Sequence, residues 1–264
     1  MQKVILLTGS TDGIGFETAK MLVNEGHEVL LHGRSQAKLD KVQQELASIS
    51  NATTKTFVAD LSNLDDVRAL SANIKEQYTS IDVIINNAGV YNTPTPVLAN
   101  GQDIRFVVNT LAPYLLTKEL LPLMSESGRV VNLSSAAQGT VSIDALLGNK
   151  RLGDGDAYAQ SKLAITMWSR VVGEELKGSG PLVVSVNPKS LLGSKMVKDA
   201  YGIAGGDLTI GADILFRATL SDEFNGRHGA YFDNDIGAFA RPHPDALNDA
   251  KCREVIDTIE KLIA

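Results

Sequence analysis

Tyr158 and Lys162 stand four residues apart in the run Tyr158-Ala159-Gln160-Ser161-Lys162, which opens an apolar pattern through Ala164, Ile165, Trp168, Val171 and Val172. In a helix that spacing puts both side chains on one face. The pair can do proton chemistry. A free phenol, with a pKa near ~10, is a sluggish base at neutral pH, and a neighbouring ammonium favours its phenolate. Lowering a phenol by ~3 pH units takes roughly 4 kcal/mol of differential interaction. Spacing alone does not single out a site, because Tyr114-Leu115-Leu116-Thr117-Lys118 repeats it. Tyr114 follows Pro113 inside an apolar helix with no reactive partner just upstream, and reads as a packing or interface tyrosine. Tyr158 differs: a strand ending in Ser134-Ser135 precedes it.

A second group of residues suits a phosphate. Thr8-Gly9-Ser10-Thr11-Asp12-Gly13-Ile14-Gly15 lies between a first strand and a first helix. Phosphate needs backbone N–H donors at close approach, which glycines allow, and the helix N-terminus adds partial positive charge. A structural turn also uses glycine; the strand–turn–helix context favours dinucleotide phosphate binding over it. The next strand ends in Leu31-His32-Gly33-Arg34-Ser35, without the acid that an NAD site uses to hold the ribose 2′-hydroxyl. Arg34 can grip a 2′-phosphate through its planar fork, and Ser35 can add a hydroxyl and a helix-end amide. The expectation is NADP(H) in preference to NAD(H), against the plainer reading of Arg34 as a solvated surface residue. Asp60-Leu61 closes the third strand, where the carboxylate can accept from an adenine amino group. Asn86-Asn87-Ala88-Gly89 follows the fourth strand and fits either close approach to a cofactor or a simple polar turn. Lys162 can also hydrogen-bond the nicotinamide ribose, fixing cofactor and acid together.

These residues need a scaffold that brings strand ends together. Val4–Leu7, Val29–Leu31, Thr56–Ala59, Val83–Ile85, Val130–Leu133 and Val183–Val186 read as short buried strands alternating with amphipathic helices. Ser62 is the expected N-cap of the third helix. The pattern predicts an α/β fold, a doubly wound parallel sheet (Rossmann fold), as one domain over residues 1–264. Ligands bind such sheets at the carboxyl ends of the strands. Two stretches, 139–157 and 189–207, read as long loops at that end and are expected to shape the substrate site.

Composition bounds the rest. The net charge is −6 and no basic stripe is visible, which argues against nucleic acid. No apolar run reaches the roughly 18 to 20 residues of a membrane span, and Met1-Gln2-Lys3 with Val4–Leu7 reads as a strand rather than a leader. Cys252 is the single cysteine, so no internal disulfide can form, and a cytoplasmic setting fits. His27, His32, His228 and His243 lack metal-ligand spacing, and Asp154-Gly155-Asp156 lacks the oxygen series of a calcium loop, so no metal is expected.

Taken in order, the Thr8–Gly15 loop, Asp60, Asn86–Gly89, Asn109, Ser134-Ser135, and Tyr158 with Lys162 resemble the short-chain dehydrogenase/reductase family, up to about Pro188. The resemblance implies that Ser135 orients and polarises a carbonyl and that Tyr158 is the general acid/base. It further implies that Lys162 lowers the Tyr158 pKa and Asn109 supports a water-mediated proton relay. Counting from Gly128-Arg129-Val130 selects Ser135, with Ser134 as the alternative. Cofactor contacts are expected from Gly9, Ser10, Thr11, Asp12, Gly13, Ile14, Gly15, Arg34, Ser35, Asp60, Leu61, Asn87, Ala88, Gly89, Tyr158, Lys162 and Pro188. The reaction implied is hydride transfer between NADP(H) and a ketone or aldehyde, or the reverse from an alcohol.

The chain departs from the family in two places. The gap from Ser135 to Tyr158 is long, as in the branch resembling retinol dehydrogenases and related carbonyl reductases, and the tail from Pro244 is similar to that branch. This points to a bulky or apolar carbonyl substrate. Pro188-Lys189 stands where the family has Pro-Gly, so a lysine alters the turn beside the nicotinamide or brings a cation near the substrate. The family also pairs through helices beginning here near Asn100 and Asp156, which favours a homodimer or homotetramer. A non-catalytic NADP(H)-binding sensor on the same fold is the alternative, though such a protein needs only the glycine loop and Arg34. A dehydratase or epimerase is expected to carry a larger substrate domain.

Overall fold

Strands whose successive residues are all apolar must be covered on both faces, and helical crossovers supply the cover. The computed structural model describes residues 1–51 and 53–264. In it β1 (Val4–Leu7), β2 (Glu28–Gly33), β3 (Thr54–Val58), β4 (Val83–Asn86), β5 (Arg129–Leu133) and β6 (Leu182–Asn187) run parallel. Two further strands, β7 (Tyr231–Asp233) and β8 (Ala238–Ala240), extend the sheet, the last one antiparallel. The order is β3-β2-β1-β4-β5-β6-β7-β8, so the direction of winding reverses between β1 and β4 and opens a crevice at their carboxyl ends.

The pleat divides the core into two layers. Ile5 and Leu7 of β1 pack on α1 (Gly13–Asn24), α2 (Gln36–Ile49) and α9 (Leu208–Leu220). Leu6 faces the opposite layer, built from α3 (Leu64–Gln77), α5 (Ala112–Leu120), α7 (Asp154–Glu175) and α10 (Asp249–Ile263). Before α5, α4 (Ile104–Phe106) passes directly into a π-helical turn over Val107–Leu111.

Several local expectations change. The third helix is capped by Asn63, which accepts from the Asp65 amide, not by Ser62; the Ser62 amide and hydroxyl both donate to Asp60 instead. The stretch 139–157 contains α6 (Ile143–Leu146) and the first turn of α7, while 189–207 contains α8 (Lys195–Tyr201). Tyr114 is a packing residue: its ring meets Trp168 edge-on at 5.4 Å and its hydroxyl donates to Glu260 at 2.6 Å. Burial and that carboxylate push its phenol upward, the opposite of what a base needs.

One buried side chain ties the crevice to the sheet. His32, at the end of β2, accepts the Gly9 amide on Nδ1 (3.2 Å) and faces the Ala59 carbonyl through Nε2 (3.1 Å). With an N–H pointing at Nδ1, the ring proton must sit on Nε2, so the glycine loop is held by a neutral imidazole. Burial pulls its pKa down to about 4.

Two predictions follow from this packing. Between pH 6.5 and 4 the unfolded chain takes up a proton at His32 and the folded chain does not, so stability falls as pH drops through that window. The full effect is about 3 kcal/mol, and urea unfolding at pH 7 and pH 4.5 should show it in wild type and not in His32→Gln. Gly173 lies where α7 crosses the sheet: a Cβ there would sit 2.8 Å from Gly229 Cα and 2.9 Å from Val183 O. Alanine in a helix interior ordinarily stabilises over glycine. Gly173→Ala should instead lower stability by about 1–3 kcal/mol in the same assay; a gain would mean that the close approach is not there.

Candidate active site

The carboxyl ends of β1, β4, β5 and β6 border one cleft of ≈590 Å³. At its first end, Asp12 caps α1 by accepting the Gly13 amide at 2.7 Å, and Gly9 and Gly13 take φ of +66° and +57°. A Cβ on Gly15 would stand 2.5 Å from Asn87 Nδ2, and one on Gly9 2.9 Å from Ala88 Cα, so the loop closes directly onto the segment after β4. Thr8 Oγ1 accepts the Asn87 and Ala88 amides at 3.0 and 3.1 Å. Asn87 Nδ2 returns bonds to the Thr8 and Gly9 carbonyls at 2.9 and 3.1 Å. Asn86 is the residue that ties strands, donating to Asn132 Oδ1 at 2.8 Å.

Gly9, Thr11, Asp12, Gly13, Ile14, Gly15, Arg34, Asp60, Leu61, Asn87, Ala88, Gly89 and Pro188 all line the cleft. Ser10 does not: it is fully buried, its hydroxyl donating to the His32 carbonyl at 3.2 Å. Ser35 caps α2 beside Arg34. Arg34 is exposed at the cleft rim, and Lys38, one helical turn further on, lines the same end.

At the other end, α7 delivers Tyr158 and Lys162. Lys162 is 3% exposed and its Nζ donates to the Leu133 carbonyl, the last of β5, at 2.6 Å. Nζ lies 5.7 Å from the centroid of the Tyr158 ring. Desolvation pulls the ammonium down to about 7. The π-helical turn presents Asn109, fully buried behind the wall, whose Oδ1 accepts from the Val90 amide (2.8 Å). Its Nδ2 donates to the Val90 carbonyl (2.9 Å) and to Ser161 Oγ (3.0 Å). Ser161 in turn donates to the Tyr158 carbonyl at 2.7 Å. Of the paired serines, Ser134 is buried and hydrogen-bonded to Thr166 and the Lys162 carbonyl. Ser135 is half-buried on the cleft wall, its Oγ accepting from the Ala137 amide at 3.1 Å.

Residues that the sequence did not advertise complete the wall. The Tyr91 ring packs on Tyr158 at 4.9 Å. Tyr231 of β7 donates to the Ser135 carbonyl at 3.2 Å. Arg105, 1% exposed, grips Asp103 through two bonds (2.7 and 2.6 Å), pairs with Asp154 in the first turn of α7, and reaches the Tyr91 carbonyl at 3.4 Å. It therefore fixes the entry to the helix that carries Tyr158. Nothing in the local sequence marks it, because Asp154 lies 49 residues away. His32 had no sequence signal at all, because its partners come from the glycine loop and β3.

Beyond Pro188 the backbone is strained: Lys189 has φ +117° and Leu191 φ +54°. Such non-glycine conformations cost of order 1–3 kcal/mol each. The turn is pinned by Asp235, which accepts from the Ser190 amide (2.9 Å), Ser190 Oγ (2.6 Å) and Asn187 Nδ2 (2.9 Å). Asn234 also donates to the Pro188 carbonyl at 3.0 Å.

Among the described residues no helix is long and apolar enough to cross a membrane. Comparison with known proteins agrees with the geometry. The profile of the short chain dehydrogenases matches residues 3–201. Retinol dehydrogenase 12 of Bos taurus is 35% identical over 204 residues, covering 75% of this chain and 64% of that protein. Human retinol dehydrogenase 11 is 37% identical over 191 residues, covering 70% and 60%. The alignment thus spans less than two thirds of the length of these relatives. A short chain dehydrogenase of Escherichia coli CFT073, solved in complex with NADPH, superposes with a TM-score of 0.72 at 26% identity, covering 88% of this chain and 96% of that one. With the profile matched over residues 3–201 and these relatives 35% and 37% identical over 75% and 70% of the chain, the chain belongs to the short chain dehydrogenase family.

Proposed function

We propose that the chain is an NADP(H)-dependent oxidoreductase that interconverts a ketone or aldehyde and the corresponding alcohol. The observation that carries this reading is the convergence of Ser135, Tyr158 and Lys162 on the cleft whose other end is the glycine loop. That loop fits a dinucleotide: side chains at Gly9 or Gly15 would collide with the segment after β4, and the open space faces the amides at the start of α1. The cofactor, when bound, supplies the hydride.

The chain's own residues handle the proton and the orientation. Ser135 Oγ, steadied by the Ala137 amide, donates to the carbonyl oxygen and polarises it. Tyr158 gives its phenolic proton to the developing alkoxide, or takes it back in the oxidative direction. Lys162, as an ammonium, stabilises the phenolate electrostatically and hydrogen-bonds the nicotinamide ribose. Its burial works against that charge and draws its pKa down to about 7. Asn109 holds the π-helical turn behind them for a water-mediated relay that returns the proton.

Arg34 and Ser35 hold the 2′-phosphate in this reading, with Lys38 as a second cation the sequence did not single out. Asp60 faces the adenine. The two stretches 139–157 and 189–207 border the substrate within one 1–264 domain. A homodimer or homotetramer is expected to pair through the long helices, on which α10 lies: Glu260 bonds Tyr114 and Lys118, and Arg253 bonds Glu175. Cytoplasmic placement fits the single, buried Cys252.

Purified protein should consume NADPH with members of a broad carbonyl panel, and Tyr158→Phe should abolish that while binding NADPH normally. Activity surviving in Tyr158→Phe would sink the mechanism. Arg34→Ala should weaken NADPH by about ten- to a hundred-fold and leave NADH nearly unchanged, measured by fluorescence titration; equal losses would remove Arg34 from phosphate recognition.

A further inference from the structure

We propose that Lys189 is a specificity-determining residue, and that the carbonyl substrate carries an anionic group on an apolar body. The inference rests on the carbonyl reading above and adds the substrate's class to it.

The position of Lys189 follows from strand register. Leu133 of β5 pairs with Val186 of β6 and the Ser134 amide donates to the Val186 carbonyl at 2.8 Å, so Ser135 and Pro188 lie side by side and Lys189 is the next residue out. Neighbouring strands are ~5 Å apart, which puts Lys189 at the carbonyl-orienting serine. The glycine loop leaves β1, three strand spacings or ~14 Å away. Lys189 therefore leaves the sheet at the reacting end of the cleft, five residues before Ser194 approaches Gly13.

Its backbone conformation is one that glycine adopts more readily than lysine. At φ +117° a side chain is strained where glycine is not, and the turn is held by the bonds from Ser190 and Asn187 to Asp235. Asp235 is near enough to feel the charge of Lys189, yet its oxygens are engaged by those bonds, and among the described residues no acid pairs with Lys189 within 4 Å. The adjacent wall, from Leu133 to Ala137, Val90 to Asn92 and Tyr158, contributes no carboxylate. The other acids on the cleft are occupied: Asp12 caps α1, Asp60 accepts from Ser62, and Asp199 pairs with Lys195. An exposed cation with no acid within 4 Å, beside an oxygen-binding serine, favours a ligand that brings its own negative charge. The same wall carries apolar surface from Val90, Ile104 and Val108.

4-Formylbenzoate and its methyl ester test this, since they share an aldehyde and a ring and differ in charge. The ratio of kcat/KM for acid over ester, followed by NADPH consumption, should fall about ten-fold from wild type to Lys189→Met and Lys189→Gly. The change should lie in KM for the acid, with the ester within two-fold, and Lys189→Arg should keep the wild-type ratio. Lys189→Gly should also raise Tm by about 2–4 °C by relieving the strain, and fluorescence titration should give all variants the same NADPH affinity. An unchanged ratio with both aldehydes reduced overturns the role of Lys189 alone, as does a loss of NADPH affinity in Lys189→Met. Wild-type protein that binds NADPH but reduces no carbonyl at all overturns the underlying reading instead.

Discussion

An ammonium taken out of water at the tip of a strand needs a dipole to face, and the Leu133 carbonyl provides one at 2.6 Å from Lys162. Burial in a medium of low dielectric disfavours the charge, which is why the group is drawn down to about 7. Much of the surrounding architecture serves that single buried group. A side chain on Gly89 would lie 3.5 Å from Nζ. The π-helical turn brings Asn109 to Val90 and Ser161, and Ser161 fixes the backbone of Tyr158. Arg105 then anchors the first turn of α7 from outside. Tyrosine and lysine are thus held by separate networks that meet on one helix.

Two buried titratable groups mark the two ends of the cleft, and they are tuned differently. His32, near 4, is neutral at any ordinary pH and serves as a fixed acceptor for the glycine loop. Lys162, drawn down to about 7, borders the cleft itself. The first is a structural device; the second lies beside the tyrosine proposed to carry the proton.

Signals that are local in sequence were legible. Six strands, the glycine loop and the helix carrying Tyr158 each announce themselves within about ten residues, through β-branched runs, turn residues or a spacing of four. What escaped depends on distance or on very short elements. β7 and β8 are three residues each, too short for alternation to register. Counting from Gly128 ranked Ser135 over Ser134, but that Ser134 is tied to the Lys162 carbonyl and Thr166 of α7 depends on contacts 28 and 32 residues away. Arg105 meets Asp154 across 49 residues, and His32 meets Gly9 across 23. The choice between Ser62 and Asn63 as a cap turned on Asp60 claiming the serine first.

Charge is distributed along the cleft against the sign of the whole molecule. The chain carries −6, yet the lining holds Arg34, Lys38, Lys162, Lys189 and Lys195 against Asp12, Asp60 and Asp199, a local excess of two positive charges from five bases and three acids. Low-dielectric walls focus such a field and draw anions in from solution. At the glycine end, backbone amides and the start of α1 serve as anion donors without any formal charge, so the cations there sit at the rim. At the Ser135 end a lysine occupies a backbone conformation that suits glycine. In the reading proposed for Lys189, that strain is the cost of placing a formal positive charge on the turn beside Ser135.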